Sequence, residues 1–230
     1  MEVNKDRYVA EALKLFLKKG YESATIRDIA KTCGISHSKL IYHFGSKSAL
    51  GLVVAEEYLS WLLERIESVQ YSDGDDRFTV NRVIWWGLHY SVILYHGDFA
   101  RFFLELNDGS SNPFLEATDT FKAKLFGPCF GIDCPYDSTV GEVDAILLNR
   151  LDIALYGLCY QKKITPYEAT YRLLGSGVMP SMKTEISVSR AEDLMKRYRV
   201  GEEARGFDPY RLTERNLLSK DYHTGVTEDD

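Results

Sequence analysis

Apolar residues recur at intervals of three and four along most of the chain, and no segment shows sustained strand alternation. Near the start, Val9, Ala12, Leu13 and Phe16 follow the i, i+3, i+4, i+7 pattern of an amphipathic helix. The segment 78–96 is apolar around most of its circumference, which predicts a buried central helix. Because 45% of the 230 residues are hydrophobic, the chain can bury a sizeable core. These patterns predict an all-α protein of roughly nine helices with a C-terminal addition.

Charge is distributed unevenly along the chain. Residues 1–50 hold nine Lys and Arg against five Asp and Glu, whereas the remaining 180 residues hold nineteen against twenty-nine. The net charge of −6 therefore conceals a basic head on an acidic body. Such a distribution suits contact with nucleic-acid phosphates at the head alone.

Cysteine usage and the opening residues bear on the compartment. The four cysteines, Cys33, Cys129, Cys134 and Cys159, make no disulfide framework in a chain of this length. The opening residues are polar and charged, so we expect no signal peptide, and the longest uncharged stretch, 83–97, is too short for a membrane span. We therefore expect a cytoplasmic protein with reduced thiols and no membrane partner.

The segment between residues 25 and 50 predicts two short helices joined by a glycine turn. Thr25 is placed to cap the second helix of the chain, and Gly34 lies in the turn that follows it. Ser36 then caps a third, amphipathic helix that ends near residue 43, and Ser46 starts a long fourth helix. This arrangement is typical of a helix-turn-helix that binds in the major groove of double-stranded DNA.

The polar side chains of this motif are the candidate DNA contacts. Thr25 and Arg27 are expected to clamp the DNA backbone, and Lys47 is expected to meet a phosphate at a helix N-terminus. The third helix buries Leu40 and Phe44 and offers its polar face to base edges. The predicted DNA-binding residues are Thr25, Arg27, Ser36, His37, Ser38, Lys39, Tyr42, His43 and Lys47. For Thr25 and Ser36, the alternative role of a helix cap without DNA contact stays open. For His37, the alternative of a side chain that contacts only water stays open.

Residues 5–55 resemble the DNA-binding domain of the TetR family of transcriptional repressors. The shared residues are Phe16, Gly20-Tyr21, Thr25–Ala30, Gly34–Ser36, Leu40, Tyr42–Phe44, Ser46-Lys47 and Leu50. The resemblance implies a homodimer, an all-helical regulatory domain, and release from operator DNA when a small molecule binds. Position 41 is Ile where the family often has an aromatic residue, which shifts the expected DNA affinity onto Tyr42, His43 and Lys47.

We therefore divide the chain into two predicted domains. Residues 1–50 form a three-helix helix-turn-helix DNA-binding domain, and residues 51–230 form a helical ligand-binding and dimerisation domain, with 221–230 expected to be a disordered tail. Helices predicted over 139–161 and 165–176 carry apolar faces that include Leu155 and Leu158. The family resemblance implies that such helices pair across a two-fold axis.

Aromatic residues in the second domain predict a pocket for a flat or lipophilic effector. Taken singly, aromatic residues at helical spacing are more typical of a hydrophobic core, and His89 is more typical of a core histidine. The pocket is therefore implied by the resemblance rather than by spacing. The predicted ligand-binding residues are Trp85, Trp86, His89, Tyr90, Ile93, Phe102, Phe103, Phe121, Leu125, Tyr156 and Tyr160.

Motifs for catalysis and metal binding are not found in the sequence. There is no nucleophile elbow, glycine-rich phosphate loop or positioned carboxylate pair, so we predict no catalytic residue and no enzymatic activity. There is also no CxxC or HxxxH pair, so we predict no metal site and no cofactor, although Cys129 or Cys134 stays open as a redox sensor.

The predicted function is a ligand-responsive transcriptional regulator, a repressor that a small molecule releases from operator DNA. The first alternative is an architectural or protein-regulated DNA-binding factor of the same fold, with no small-molecule effector. The second alternative is an enzyme in which the helix-turn-helix is vestigial.

Overall fold

The computed structural model describes residues 5–108, 119–132, 139–178 and 183–214. Within these ranges every regular element is helical and no β-strand occurs, which confirms the all-α prediction. None of the helices described is long and apolar enough to cross a membrane.

The described ranges contain eleven α-helices, one π-helical segment and one 3-10 helix. The α-helices are α1 (Lys5–Lys19), α2 (Ile26–Cys33), α3 (His37–Phe44), α4 (Lys47–Glu67), α5 (Arg77–Tyr95), α6 (Gly97–Asp108), α7 (Asp119–Lys124), α8 (Thr139–Tyr160), α9 (Pro166–Gly175), α10 (Val188–Arg197) and α11 (Val200–Gly206). The π-helical segment is Leu125–Phe130, and the 3-10 helix is Pro209–Glu214.

Gly127 and Pro128, residue types that are typical of loops, lie inside the π-helical segment. The π-helical segment continues through Pro128 to Phe130, and Gly131 ends it with a φ of 66°. Side chains of α5 stabilise its carbonyls: Asn81 Nδ2 donates to the Cys129 oxygen at 2.8 Å, and Arg82 Nη2 donates to the Phe130 oxygen at 2.6 Å. These donors are distant in sequence, so local pattern gave no sign of the segment.

The backbone divides into two compact units. The first comprises residues 1–58, 101–113 and 208–230, as far as these are described. In its core the Phe16 and Phe102 rings stack at 5.4 Å, and Tyr21 meets Phe16 edge-on at 5.2 Å. Arg101 Nη2 donates to the Leu17 carbonyl at 2.7 Å, so the start of the 101–113 segment is fastened to α1.

The second unit comprises residues 59–100 and 114–207. Its centre is α5, which is buried from Val80 to Ile93 and packs against α8, α9, α10 and α11. The prediction of a buried central helix over 78–96 is therefore confirmed. Division of the chain at residue 50 stays a prediction.

Candidate functional site

Thr25 and Asp28 hold the start of α2 through a reciprocal capping box. The Thr25 hydroxyl accepts from the Asp28 N–H at 3.1 Å, and the Thr25 N–H donates to the Asp28 carboxylate at 3.3 Å. The Thr25 side-chain hydrogen bond is the main cause that lowers the pKa of Asp28. The carboxylate therefore stays ionised at the positive end of the helix dipole, where it stabilises α2.

Gly34 makes the turn between α2 and α3. Its φ of 70° and ψ of 30° lie in the left-handed region, and the N–H of Ile35 donates to the Ala30 carbonyl at 3.0 Å. The Ser36 hydroxyl then accepts from the Lys39 N–H at 3.1 Å and caps α3. Glycine at the turn and a hydroxyl cap together orient α3 on α2.

Helix α3 buries one face and exposes the other. Leu40 and Phe44 are buried, whereas the Tyr42 side chain is 73% exposed. Seven of the nine predicted DNA-binding residues are exposed, namely Thr25, Arg27, Ser36, His37, Ser38, Lys39 and Tyr42. The structure thus brings hydroxyl, imidazole, ammonium and phenol groups to the outer surface of α3 and to the start of α2, the groups suited to phosphates and base edges.

The structure buries most of the side chain of His43, one of the predicted DNA contacts. Its side chain is only 8% exposed and lies with its ring 6.0 Å from that of Tyr8 on α1. Burial is the main cause that lowers the pKa of His43, assisted by the charges of Lys5 and Lys39, so the ring is neutral near pH 7. His43 therefore packs beneath α3, and its predicted DNA contact stays a prediction.

Lys47 has a structural role that the sequence did not reveal. Its ammonium donates to the carbonyls of Tyr21 and Glu22 at 3.0 and 3.3 Å, and it lies 4.4 Å from the centre of the Tyr21 ring. Two of its three N–H groups thus tie the start of α4 to the segment after α1. The predicted phosphate contact stays a prediction for the remaining N–H.

The predicted effector residues are divided between the two units. Phe102 and Phe103 lie in the first unit, where Phe103 meets Tyr58 edge-on at 5.6 Å. Tyr160 is 41% exposed, and the side chain of Phe121 lies outside the described residues. The members that are buried in the second unit are Trp85, Trp86, His89, Tyr90, Ile93, Leu125 and Tyr156.

Asp152 lies among these buried rings, and the sequence analysis missed it. Tyr90 donates to its Oδ1 at 2.7 Å, and the Nε2 atom of His89 lies 3.6 Å from Oδ2. The rings of His89 and Tyr156 are 5.0 Å apart. A lone carboxylate four residues before Tyr156, on an otherwise apolar stretch of α8, was the available signal.

Burial suppresses ionisation of the acidic groups beside Asp152. The pKa of Tyr90 is raised well above its usual value by burial and by the charge of Asp152. Burial and the same charge raise the pKa of the Cys159 thiol to about 12. The environment of Asp152 therefore disfavours a second negative charge. A group that donates a hydrogen bond to the Asp152 carboxylate is favoured there.

The cysteines that the structure describes are buried free thiols. Burial raises the pKa of Cys129, which disfavours the reactive thiolate and weakens the redox-sensor alternative there. Cys134 lies outside the described residues. In the described ranges no three His, Cys, Asp or Glu side chains are grouped to hold a metal ion.

A pocket of about 260 Å³ lies in the second unit, and none of the predicted effector residues lines it. Its walls come from the end of α4, from α5, and from the junction of α10 and α11.

Comparison with known proteins agrees with the helix-turn-helix. Residues 9–53 match the family model described as bacterial regulatory proteins, tetR family. The chain is 31% identical over 208 residues to YuxN of Bacillus subtilis (strain 168), named an uncharacterised HTH-type transcriptional regulator, covering 84% of this chain and 63% of YuxN. It is 44% identical over 46 residues to IcaR of Staphylococcus aureus (strain Newman), named a negative transcriptional regulator of the biofilm operon icaADBC, covering 20% of this chain and 25% of IcaR.

The second Bacillus subtilis relative, the regulator YerO, is 36% identical over 70 residues, which are 30% of this chain and 24% of YerO. The chain thus spans less than two thirds of the length of these curated relatives. The solved TetR-family regulator PfmR from Thermus thermophilus is 21% identical with a TM-score of 0.34, covering 93% of this chain and 91% of PfmR. Residues 9–53 therefore form a DNA-binding domain of the tetR family of bacterial regulatory proteins.

Proposed function

We propose that this chain is a cytoplasmic transcriptional repressor that binds double-stranded operator DNA as a homodimer and leaves it when a small molecule binds. The family of the N-terminal domain and the names of the relatives support a regulator. Those relatives are regulators rather than enzymes, so the proposal includes no catalytic site and no cofactor.

The observation that carries the DNA-binding role is the surface of α3. Two hydroxyl caps and a left-handed glycine hold α2 and α3 in a helix-turn-helix, while Lys39 and Tyr42 stand exposed on the outer side. A short, firmly oriented helix with an exposed cation and phenol can enter the major groove and hydrogen-bond to base edges.

An apolar face on α8 supports the homodimer. Val143, Ile146 and Leu147 follow helical spacing and are 46–51% exposed, although they are large apolar side chains. Leu155, which we predicted at the interface, is 4% exposed within its own unit, and Leu158 is half-buried. The interface is therefore proposed on the earlier part of α8, because a contiguous exposed apolar face favours association with a second copy.

DNA binding is tested with duplexes selected from a random pool by the full-length protein. Fluorescence anisotropy then gives the Kd of the selected duplex and of a scrambled duplex over a series of salt concentrations. Lys39→Ala should reduce the preference for the selected duplex by about 1–3 kcal/mol if Lys39 contacts a base directly.

Lys163→Ala serves as the matched control, because Lys163 is also an exposed lysine and lies in the second unit. It should leave both Kd values unchanged. If Lys39→Ala weakens both duplexes equally, Lys39 contacts phosphate and another residue of α3 specifies sequence. A wild-type protein that selects no sequence from the pool would contradict the proposed function.

A further inference from the structure

The pocket of the second unit combines an apolar floor with a basic rim. Ile84, Leu88 and Val200 form the floor, and each is at most 3% exposed. Arg65, Arg197 and Arg199 stand around it, with Glu203 as the one carboxylate among the lining residues. A cavity lined by both apolar and charged side chains suits a small molecule that carries both kinds of group.

The three arginines differ in how fully the protein already uses them. Arg197 is held by Asp75 and Asp193, each at 3.0 Å, and Arg199 pairs with Glu202. Arg65 has a longer contact, 3.5 Å from its Nη1 to Glu203, and its buried Nε has no hydrogen-bond partner within the described ranges. Arg65 is therefore the guanidinium with most capacity left for an anion.

Polar contacts of Asp75 hold the part of the pocket wall that comes from α10 and α11. Asp75, whose side chain is 3% exposed, accepts from Arg190, from Arg197 and from the Tyr198 hydroxyl. This clamp fixes the turn in which Arg199 adopts a φ of 54°, a conformation that residues other than glycine seldom adopt. A residue in such a disfavoured backbone conformation beside a cavity is a feature that recurs at ligand sites.

We propose that this pocket binds a small organic anion, a single carboxylate carried on a compact apolar group. The apolar group would lie on Ile84, Leu88 and Val200, and the carboxylate would contact Arg65 in competition with Glu203. A volume of about 260 Å³ is several times the roughly 30 Å³ that one water molecule occupies, so the pocket has room for a compact ligand. Benzoate, a carboxylate on one phenyl ring, is such a ligand.

The anion would also act as the effector that regulates DNA binding, and this step rests on the proposed function. Binding of the anion to the pocket is independent of that function. Arg65 belongs to α4, whose first residue is the Lys47 that ties α4 to Tyr21 and Glu22. An anion that pulls Arg65 away from Glu203 would bias the position of this helix, and a ligand shifts an equilibrium only through such differential contacts.

The test uses three probes of nearly equal shape: benzoate, neutral benzamide and cationic benzamidine. Calorimetry on the full-length protein should give benzoate a Kd of about 1 mM or tighter, a reasonable affinity for so small a ligand. Benzamide and benzamidine should bind at least about tenfold more weakly, because neither offers Arg65 a carboxylate. Absence of benzoate binding up to about 10 mM, or stronger binding of benzamidine, overturns the proposal.

Two substitutions should act in opposite directions. Arg65→Gln should weaken benzoate about tenfold or more, and Glu203→Gln should strengthen it, because Arg65 then lacks a competing carboxylate. Arg172→Gln, an exposed arginine on α9, is the matched control and should change nothing. Equal benzoate affinity in wild type and Arg65→Gln overturns the proposal, provided that circular dichroism shows both to be folded.

Tryptophan fluorescence locates the ligand. Trp61 lies 5.8 Å from the Arg65 guanidinium, whereas Trp86 lies 6.0 Å from the His89 ring in the aromatic cluster. The benzoate response should disappear in Trp61→Phe and persist in Trp86→Phe; the reverse result overturns this site in favour of the aromatic cluster.

If benzoate binds at Arg65 but leaves the Kd for selected DNA unchanged, the site stands and its effector role is wrong. If no DNA is bound, the proposed function fails while the binding result is unaffected.

Discussion

The hydroxyl of Tyr90 donates a 2.7 Å hydrogen bond to Asp152, and both side chains are buried between α5 and α8. Tyr90→Phe should leave this carboxylate without its shortest hydrogen bond and lower the free energy of unfolding by about 1–3 kcal/mol. Urea denaturation measures the change. Tyr95→Phe is the control: its hydroxyl accepts from Arg205 at 3.1 Å at an exposed site, so a change within about 0.5 kcal/mol is expected. If both variants lost the same free energy of unfolding, the burial of Asp152 would not strengthen the contribution of its hydrogen bond.

Gly34 provides a test of the turn between α2 and α3. Gly34→Ala should destabilise the protein by about 1–2 kcal/mol, because an L-residue is disfavoured at a φ of 70°. A Cβ at Gly34 meets nothing within 4 Å, so the cost comes from the backbone alone. Gly97 also has open space but no positive φ, and Gly97→Ala should change the urea midpoint little. A harmless Gly34→Ala would contradict the left-handed turn.

Lys47 and Tyr42 separate positioning from contact at the DNA surface. Lys47→Ala removes the hydrogen bonds to Tyr21 and Glu22, so both stability and DNA affinity should fall. Tyr42→Ala, at a side chain 73% exposed, should reduce DNA affinity with a stability change within about 0.5 kcal/mol. Thermal melts and anisotropy measure the two effects. Unchanged stability in Lys47→Ala would return Lys47 to a purely phosphate-binding role.

Asp75 predicts a specific dependence of stability on pH. The hydrogen bond from Tyr198 is the main cause that lowers the pKa of its carboxyl, with Arg197 and Arg190 contributing. A lowered folded-state pKa stabilises the protein above the unfolded-state value, about 3.9, and this contribution is lost as the pH falls through the folded-state value. Wild type should therefore exceed Asp75→Asn in stability at pH 6, and the difference should shrink below about pH 4.

Urea unfolding of wild type and Asp75→Asn between pH 6 and pH 3 measures this difference in the free energy of unfolding. The other carboxyl groups are the same in both proteins, so their contributions cancel. Tyr198→Phe should reduce the pH dependence, because it removes the largest cause of the lowered pKa. A difference that does not narrow at low pH would contradict the clamp.

The exposed apolar face of α8 predicts the effect of substitutions on the proposed homodimer. Ile146→Glu should yield monomers, since a carboxylate is strongly disfavoured in an apolar interface. Val188→Glu, on α10 and 37% exposed, should leave the dimer intact. Sedimentation velocity distinguishes the two species. A dimer that survives Ile146→Glu would place the interface elsewhere.

The local features of the DNA-binding head follow from the sequence itself. Thr25 and Asp28 are three residues apart, and so are Ser36 and Lys39, so each cap is completed by residues of its own helix. Gly34 meets the need for a left-handed residue without help from any other segment. Such features depend on short-range geometry, and residue type and spacing were enough to predict them.

What lies beneath α3 and inside the second unit was decided only by the tertiary structure. His43 and Tyr42 are neighbours of similar polarity, yet packing against Tyr8 buries the first and leaves the second exposed. Lys47 finds its acceptors at Tyr21 and Glu22, and Tyr90 meets Asp152 across 62 positions. Periodicity in the sequence identifies which face of a helix is buried. The residues that this face contacts depend on how helices distant in sequence pack together. The packing in turn determines which polar groups are hydrogen-bonded, which are buried and which are left to bind a ligand.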